Sequence, residues 1–240
     1  ALPISRADLQ SAVDCYLAAQ KTGKPASLPL APSAKYIENT VDTALDKSIV
    51  KTALKIDFSR SLLDTTSCET FTEVIVTDKS HPYVLGVRTK VANKKIAELE
   101  TLVTDADDWL FNADNYLKYS TEEKWDTIPA NRRDTRDTLV SAGNAYLDAF
   151  LEGNKDLVLW GYPCNRTEGG SHTGNGSPMD SCDVGVPSGV NISNRRFVVD
   201  TTIGAVVAFC TFGAGNANGS RVARSKSRTS APMRTGQLSV

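Results

Sequence analysis

Residues 73–104 read EVIVTDKSHPYVLGVRTKVANKKIAELETLVT, and they decide the fold class. Glu73–Thr77, His81–Val91 and Lys95–Thr104 are rich in β-branched side chains, with Ala92-Asn93 as a tight reversal between the last two. Consecutive antiparallel strands need no crossover helix, so the spacing predicts a meander. Upstream, Ser5-Arg-Ala-Asp8 is a capping start, and Leu9, Ala12, Val13, Tyr16 and Leu17 recur at helical spacing until Gly23 and Pro25 stop the run. A second helix is predicted over 131–152, with Leu139, Ala142, Tyr146, Ala149 and Phe150 on one stripe and Gly153-Asn154 beyond its end. Arg195–Asp200 and Gly204–Phe212 read as a hairpin across Thr201–Gly204. The expected class is therefore α+β, every strand belonging to one curved sheet wrapped against helices. No repeat of 20–50 residues is visible.

The 240 residues are 40% hydrophobic and 23% charged, enough for a sizeable core. The expected organisation is one domain over 1–212 followed by a basic tail over 213–240. That tail holds Arg221, Arg224, Lys226, Arg228 and Arg234 with no acid, against a chain total of −1, so the body is acidic. Without interleaved aromatics the tail does not read as a nucleic-acid-binding arm. No apolar run reaches membrane-spanning length, and the start at Ala-Leu-Pro reads as a mature product after signal-peptide removal.

Residues 161–200 point to the compartment. Cys164 and Cys182 flank a polar, glycine-rich loop, and a bridge there contributes about 3 kcal/mol in the chain-entropy model. Asn165, Asn175, Asn191 and Asn218 each begin an N-x-Ser/Thr acceptor site. Together they predict a secreted, disulfide-bonded glycoprotein. Of the other three cysteines, Cys210 lies in an apolar run and reads as a buried thiol, and Cys15 with Cys68 is the second candidate bridge. The odd count leaves a thiol free or pairing between chains.

Several segments together resemble a known family. They are Tyr36-Ile-Glu-Asn39, Ile56–Thr65, Cys68–Glu73, His81–Gly86, Asp108-Trp-Leu-Phe-Asn112, Arg166–Gly170 and Asn194–Asp200. In order and spacing they resemble a family of secreted fungal proteins of unassigned function, similar to the SnoaL-like branch of the nuclear transport factor 2 (NTF2) superfamily. The resemblance covers residues 5–212. It implies a conical barrel, a bent antiparallel sheet wrapped around helices with a pocket in the cone. Members of that superfamily include cyclases, dehydratases, isomerases and non-catalytic binding proteins, so the resemblance bears on fold more than on activity. The family's further strand after Phe212 is not legible in this chain, which leaves one wall of the cone in question.

A proton-transfer site in such a cone needs an acid or base tuned by burial and a second polar group to hold developing charge. His81 leads because imidazole titrates near neutrality; a rim histidine bonding a carbonyl is the alternative. Tyr36 and Glu38 offer a hydroxyl and a carboxylate, or a structural clamp. Asp64 offers a second carboxylate, or a turn cap, and Asp57 suits a cap better. Arg166 and Glu168 either anchor the loop as an ion pair or grip an anionic substrate. Trp109 and Asn112, in the Asp108–Asn112 segment, complete the substrate-binding candidates. There is no G-x-S-x-G, no H-E-x-x-H and no phosphate-binding glycine loop. Two distant histidines specify no zinc site, and Asp105–Asp108 and Asp180–Asp183 lack a calcium-loop register, so neither metal nor cofactor is expected. The leading expectation is a cofactor-independent lyase, isomerase or cyclase acting on a small secondary-metabolic or extracellular substrate. The alternative is a secreted small-ligand-binding or interaction protein. The expected partners are a small molecule and, through the odd thiol, a second copy of the chain.

Overall fold

The computed structural model describes residues 4–213, 220–226 and 236–239, the last two segments as backbone. The chain divides into two compact units, residues 1–117 and 118–240.

In the first unit, α1 (Arg6–Thr22) starts at a Ser5/Asp8 capping box and ends at Gly23. Gly23 is left-handed at φ 64°, and a Cβ there would stand 2.8 Å from the Lys51 carbonyl oxygen, so only glycine fits the stop. Five strands follow β1 (Leu30–Glu38): its short hairpin partner β2 (Val41–Asp42), then β3 (Phe58–Asp64), β4 (Glu69–Val76), β5 (Tyr83–Ala92) and β6 (Lys95–Thr104). The sheet order is β2-β1-β6-β5-β4-β3, antiparallel except where β6 returns parallel to β1. Leu9, Val13 and Tyr16 of α1 pack into one core with Leu63, Val74, Leu85, Val87 and Leu99 of the sheet. Helical period meets strand alternation along this contact.

The second unit repeats that plan. After α2 (Ala113–Glu122), which spans the boundary between the units, α3 (Arg136–Glu152) is capped by Thr135 and stopped at left-handed Gly153. The strands are β7 (Cys164–Glu168), β8 (Ser171–Thr173), β9 (Ile192–Asp200), β10 (Ala205–Phe212), β11 (Ser220–Lys226) and β12 (Gly236–Ser239). Their order, β8-β7-β12-β11-β10-β9, is that of the first sheet, and β12 returns parallel to β7.

Sequence and register repeat with it. Over residues 6–23 and 136–153, eight of eighteen positions are identical: Arg6/Arg136, Leu9/Leu139, Ser11/Ser141, Ala12/Ala142, Tyr16/Tyr146, Leu17/Leu147, Ala19/Ala149 and Gly23/Gly153. The pairs Ile37↔Asp42 and Glu38↔Val41 recur as Thr167↔His172 and Glu168↔Ser171. Asp64↔Glu69 recurs as Asp200↔Ala205, within Asp-Thr-Thr in both copies. Asp64 Oδ1 accepts from the Thr66 and Ser67 amides, and Asp200 Oδ1 accepts from the Thr202 amide, so the same turn is capped the same way. Tyr36↔Leu99 recurs as Arg166↔Leu238. The period is too long to appear among repeats of 20–50 residues.

Four expectations change. The strands form two sheets, not one. Residues 164–173, read as loop, are the hairpin β7–β8. Ser220–Lys226 and Gly236–Ser239 are strands that complete the second sheet, where the sequence offered only a basic tail; Arg221 and Arg224 interrupt the apolar alternation that marks a strand. Cys15 and Cys68 are free thiols and form no bridge; Cys15 belongs to α1 and Cys68 to the β3–β4 turn at φ 59°.

Charge is also built into the first sheet. Arg88 is buried on β5, and it donates to Glu69 through Nε and Nη2 at 3.2 and 2.6 Å and to Glu98 and Glu100 through Nη1 at 2.5 and 3.2 Å. Strand alternation puts all four side chains on one face of the sheet. Removing the arginine strands carboxylates in a dry site. Arg88→Met is expected to lower stability by about 3–5 kcal/mol, measured by urea unfolding; a loss below about 1 kcal/mol would show that the carboxylates are solvated.

Candidate functional site

Alternation along Cys164-Asn-Arg-Thr-Glu168 puts Cys164, Arg166 and Glu168 on one face of β7 and Asn165 and Thr167 on the other. The start of the strand is fastened twice. Cys164 is disulfide-bonded to Cys182 with a Cα–Cα distance of 5.2 Å, as the flanked loop predicted. The Cys164 amide donates to the Asp180 carbonyl at 2.7 Å. The Asp180 carboxylate gathers the amides of Asn175, Gly176 and Ser177, so the polar loop is held by backbone hydrogen bonds as well as by sulfur.

Arg166 is 4% exposed, yet neither its Nε nor its Nη1 donates a hydrogen bond to any of the described residues. Its Nε lies 3.5 Å from Glu168 Oε1, a charge contact too long for a hydrogen bond. Tyr146 of α3 is also buried; its hydroxyl lies beside the Arg166 guanidinium and has no acceptor among the described residues. Burial pushes this phenol up, and the Arg166 guanidinium pulls against it. A ring cluster surrounds the hydroxyl's own ring: Phe150 at 5.1 Å and Trp160 at 6.1 Å, both edge-on, with Phe212 edge-on to Phe150 at 5.8 Å. A buried guanidinium with unfilled donors costs several kcal/mol that the fold does not recover. Arg88 shows the satisfied alternative in the same chain.

At the matching place in the first unit, the polar groups are consumed internally. Tyr36 corresponds to Arg166 and Glu38 to Glu168. The Tyr36 hydroxyl donates to Glu38 Oε2, which also accepts the Ile49 amide at 2.8 Å. Burial and that carboxylate hold the Tyr36 phenol far above its usual range. Tyr16, the counterpart of Tyr146, donates to Gln20 Oε1 at 3.1 Å, and Gln20 Nε2 donates to the carbonyls of Ile49 and Thr52. Tyr36 and Glu38 are thus brought together as a clamp on residues 49–52.

The remaining sequence candidates do not join them. His81 is exposed in the β4–β5 turn, 3.3 Å from Asp105 and stacked on Tyr83 at 4.3 Å. Asp64 is buried at the end of β3, opposite the first residue of β4 and about 25 Å away by strand rise, capping the β3–β4 turn. Asp57 caps Thr77 through both its amide and its hydroxyl. Asn112 Oδ1 accepts the Asn115 amide at the start of α2, and Trp109 is exposed in the preceding turn. Arg195 Nη1 is held by Asn144 and Asp148 of α3. Asn175 and Asn191 are exposed, Asn165 is half-buried with its Oδ1 enclosed, and Asn218 lies outside the described residues. Among the described residues no group of three metal-ligating side chains forms, and no helix is long and apolar enough to cross a membrane. Tyr146 escaped the sequence reading because it sits on an apolar helical stripe; its match to Tyr16 is the signal that would have flagged it.

His172 of β8 lies opposite Thr167, whose hydroxyl is 2.9 Å from its Nδ1, and it stacks on Tyr119 at 3.8 Å. Burial holds its pKa below the ordinary 6.5.

Residues 132–235, less than half the chain, match the family model described as a domain of unknown function (DUF8021). No curated protein matches the chain. Among solved structures it is similar to an NTF-2 like protein of unknown function from Burkholderia xenovorans LB400. That likeness has 10% identity over 42% of this chain and 87% of the other, with a TM-score of 0.32. It is also similar to a de novo designed NTF2 fold protein, at 16% identity over 50% of this chain and 95% of that one, with a TM-score of 0.32.

If Arg166 and Glu168 are an anchor, losing both destabilises the chain; if they await a ligand, the apo protein gains. Arg166→Met/Glu168→Gln is expected to leave stability unchanged or raise it by up to about 4 kcal/mol, and a loss above about 2 kcal/mol in urea unfolding would restore the anchor. A second expectation concerns acid. Below about pH 6.5 the unfolded chain protonates His172 before the folded one does, so stability falls as pH falls through that window. The Tm of His172→Gln should therefore drop less between pH 7 and 5 than that of the parent, and parallel Tm curves would contradict the assignment.

Proposed function

We propose that the chain is a secreted small-ligand-binding protein whose site lies in the second unit at Arg166, Glu168 and Tyr146. The observation that carries this is the buried guanidinium whose Nε and Nη1 have no acceptor among the described residues, beside a buried hydroxyl that has none there either. Native proteins satisfy buried polar groups, and an exception of this size calls for a partner from outside. The apolar rings around Tyr146 suit that reading, since ligand sites combine apolar lining with a few convergent polar groups.

The same three groups support a second reading, a cofactor-independent lyase or isomerase of the dehydratase or cyclase type. In it Glu168 takes a proton from bound substrate, and Arg166 with the Tyr146 hydroxyl stabilises the oxyanion that forms. His81, exposed on Asp105, has no part in this version. Secretion is supported by the Cys164–Cys182 bridge and by the exposure of the Asn175 and Asn191 acceptor sites.

The test is a screen of small anionic and carbonyl metabolites by native mass spectrometry, run on the parent and on Arg166→Met/Glu168→Gln. The reading expects at least one ligand that the parent retains and the variant loses. Equal retention by both proteins would contradict it. Consumption of that ligand by the parent alone would select the enzymatic version.

A further inference from the structure

We infer that the ligand of the Arg166 site is a monocarboxylate with an apolar, ring-bearing body; this deepens the small-ligand reading above and rests on it. The charge count carries the first half. Arg166 and Glu168 are the opposite charges that bear on Tyr146, and their contact at 3.5 Å leaves the site with no net charge. A singly charged oxyanion can take the unfilled Nη1 and Nε donors in charge-assisted hydrogen bonds. A dianionic phosphate would bring a second negative charge against Glu168, with no second cation among the described residues there. A neutral amide would meet the same donors without charge assistance.

Surroundings carry the second half. The Tyr146 ring that leads to the hydroxyl is edge-on to Phe150 and Trp160, and Phe212 extends the same cluster. Edge-to-face contacts of this kind accommodate another ring. The guanidinium end of Arg166 is bordered by glycine: a Cβ at Gly185, left-handed at φ 70°, would stand 2.9 Å from Nη2. Any side chain there would crowd the charged end.

The duplicated register supplies an independent comparison. Position 36 of the first unit is Tyr, and its hydroxyl is spent on Glu38, which the Ile49 amide also binds. Position 166 is Arg, and Glu168 makes no comparable hydrogen bond to it. One architecture thus holds a closed, self-satisfied pair in one copy and, in the other, an ion pair whose cation keeps unfilled donors. Residue 166 is the specificity-determining position of the second copy.

Three probes share one benzyl body: phenylacetate, benzylphosphonate and phenylacetamide. Calorimetric titration of the parent is expected to show saturable binding of phenylacetate and weaker or no binding of the other two. Arg166→Met/Glu168→Gln should weaken phenylacetate by roughly tenfold or more, the worth of a charge-assisted hydrogen bond. Glu168→Gln alone keeps the cation and removes the repelling acid, so it should improve benzylphosphonate. Arg166-dependent binding of the phosphonate or amide in preference to phenylacetate would overturn the monocarboxylate assignment and leave the binding reading intact. Absence of any Arg166-dependent ligand, among these probes and the wider metabolite screen, would overturn both. Equal phenylacetate binding by the parent and the double variant would place the ligand elsewhere and overturn the inference.

Discussion

Each unit depends on one pairing, the parallel ladder between its first and last strands. β1 cannot turn directly into β6, nor β7 into β12, because parallel neighbours require an intervening crossover. Here the crossover is the rest of the sheet. The chain must lay down a four-stranded meander whose last strand returns to the first. Tyr36 sits opposite Leu99 and Arg166 opposite Leu238 on those two ladders. The polar residues under discussion therefore lie on the strands that close each sheet, where they face the helix.

The two buried arginines differ in how their donors are met. Arg88 is surrounded by Glu69, Glu98 and Glu100, all in hydrogen-bonding geometry, and it holds the strands of the first sheet in register. Among the described residues Arg166 has a single carboxylate at 3.5 Å and two nitrogens without acceptors. Burial alone does not separate these cases, since both residues are nearly inaccessible. Satisfaction does. The unfilled guanidinium is a local cost, and such costs gather at functional sites.

Much of this was legible in the sequence, for reasons that can be named. The capped helix at residues 6–22, the meander over 73–104 and the Cys164–Cys182 bridge each rest on local signals: a capping box, β-branched alternation, and a loop that cannot pack itself. The β7–β8 hairpin was not legible, because Asn165, Arg166, Thr167 and Glu168 are polar and its turn is Gly-Gly. Strand β11 was hidden by its arginines. The two-unit organisation was present in the sequence all along, in Arg6–Gly23 against Arg136–Gly153, but at a spacing of 130 residues it escapes any search for short repeats. Among the site candidates, Arg166 and Glu168 were singled out with both meanings left open, and Tyr36 and Glu38 with both likewise. Which meaning applies depends on partners from distant segments, the Ile49 amide in one case and Tyr146 in the other. His81 was chosen for its intrinsic titration range, and that range says nothing of what the ring faces.

The central claim is that the second unit keeps an unfilled cation for a ligand, while the first has closed the equivalent place on itself. A crystal structure of the protein grown with phenylacetate tests this most directly. The account predicts carboxylate density within hydrogen-bonding distance of the Arg166 guanidinium, with Tyr36, Glu38 and the Ile49 amide unchanged and no ligand beside them. Phenylacetate bound at Tyr36 instead, or an Arg166 guanidinium hydrogen-bonded to Glu168 with no ligand beside it, would contradict the account.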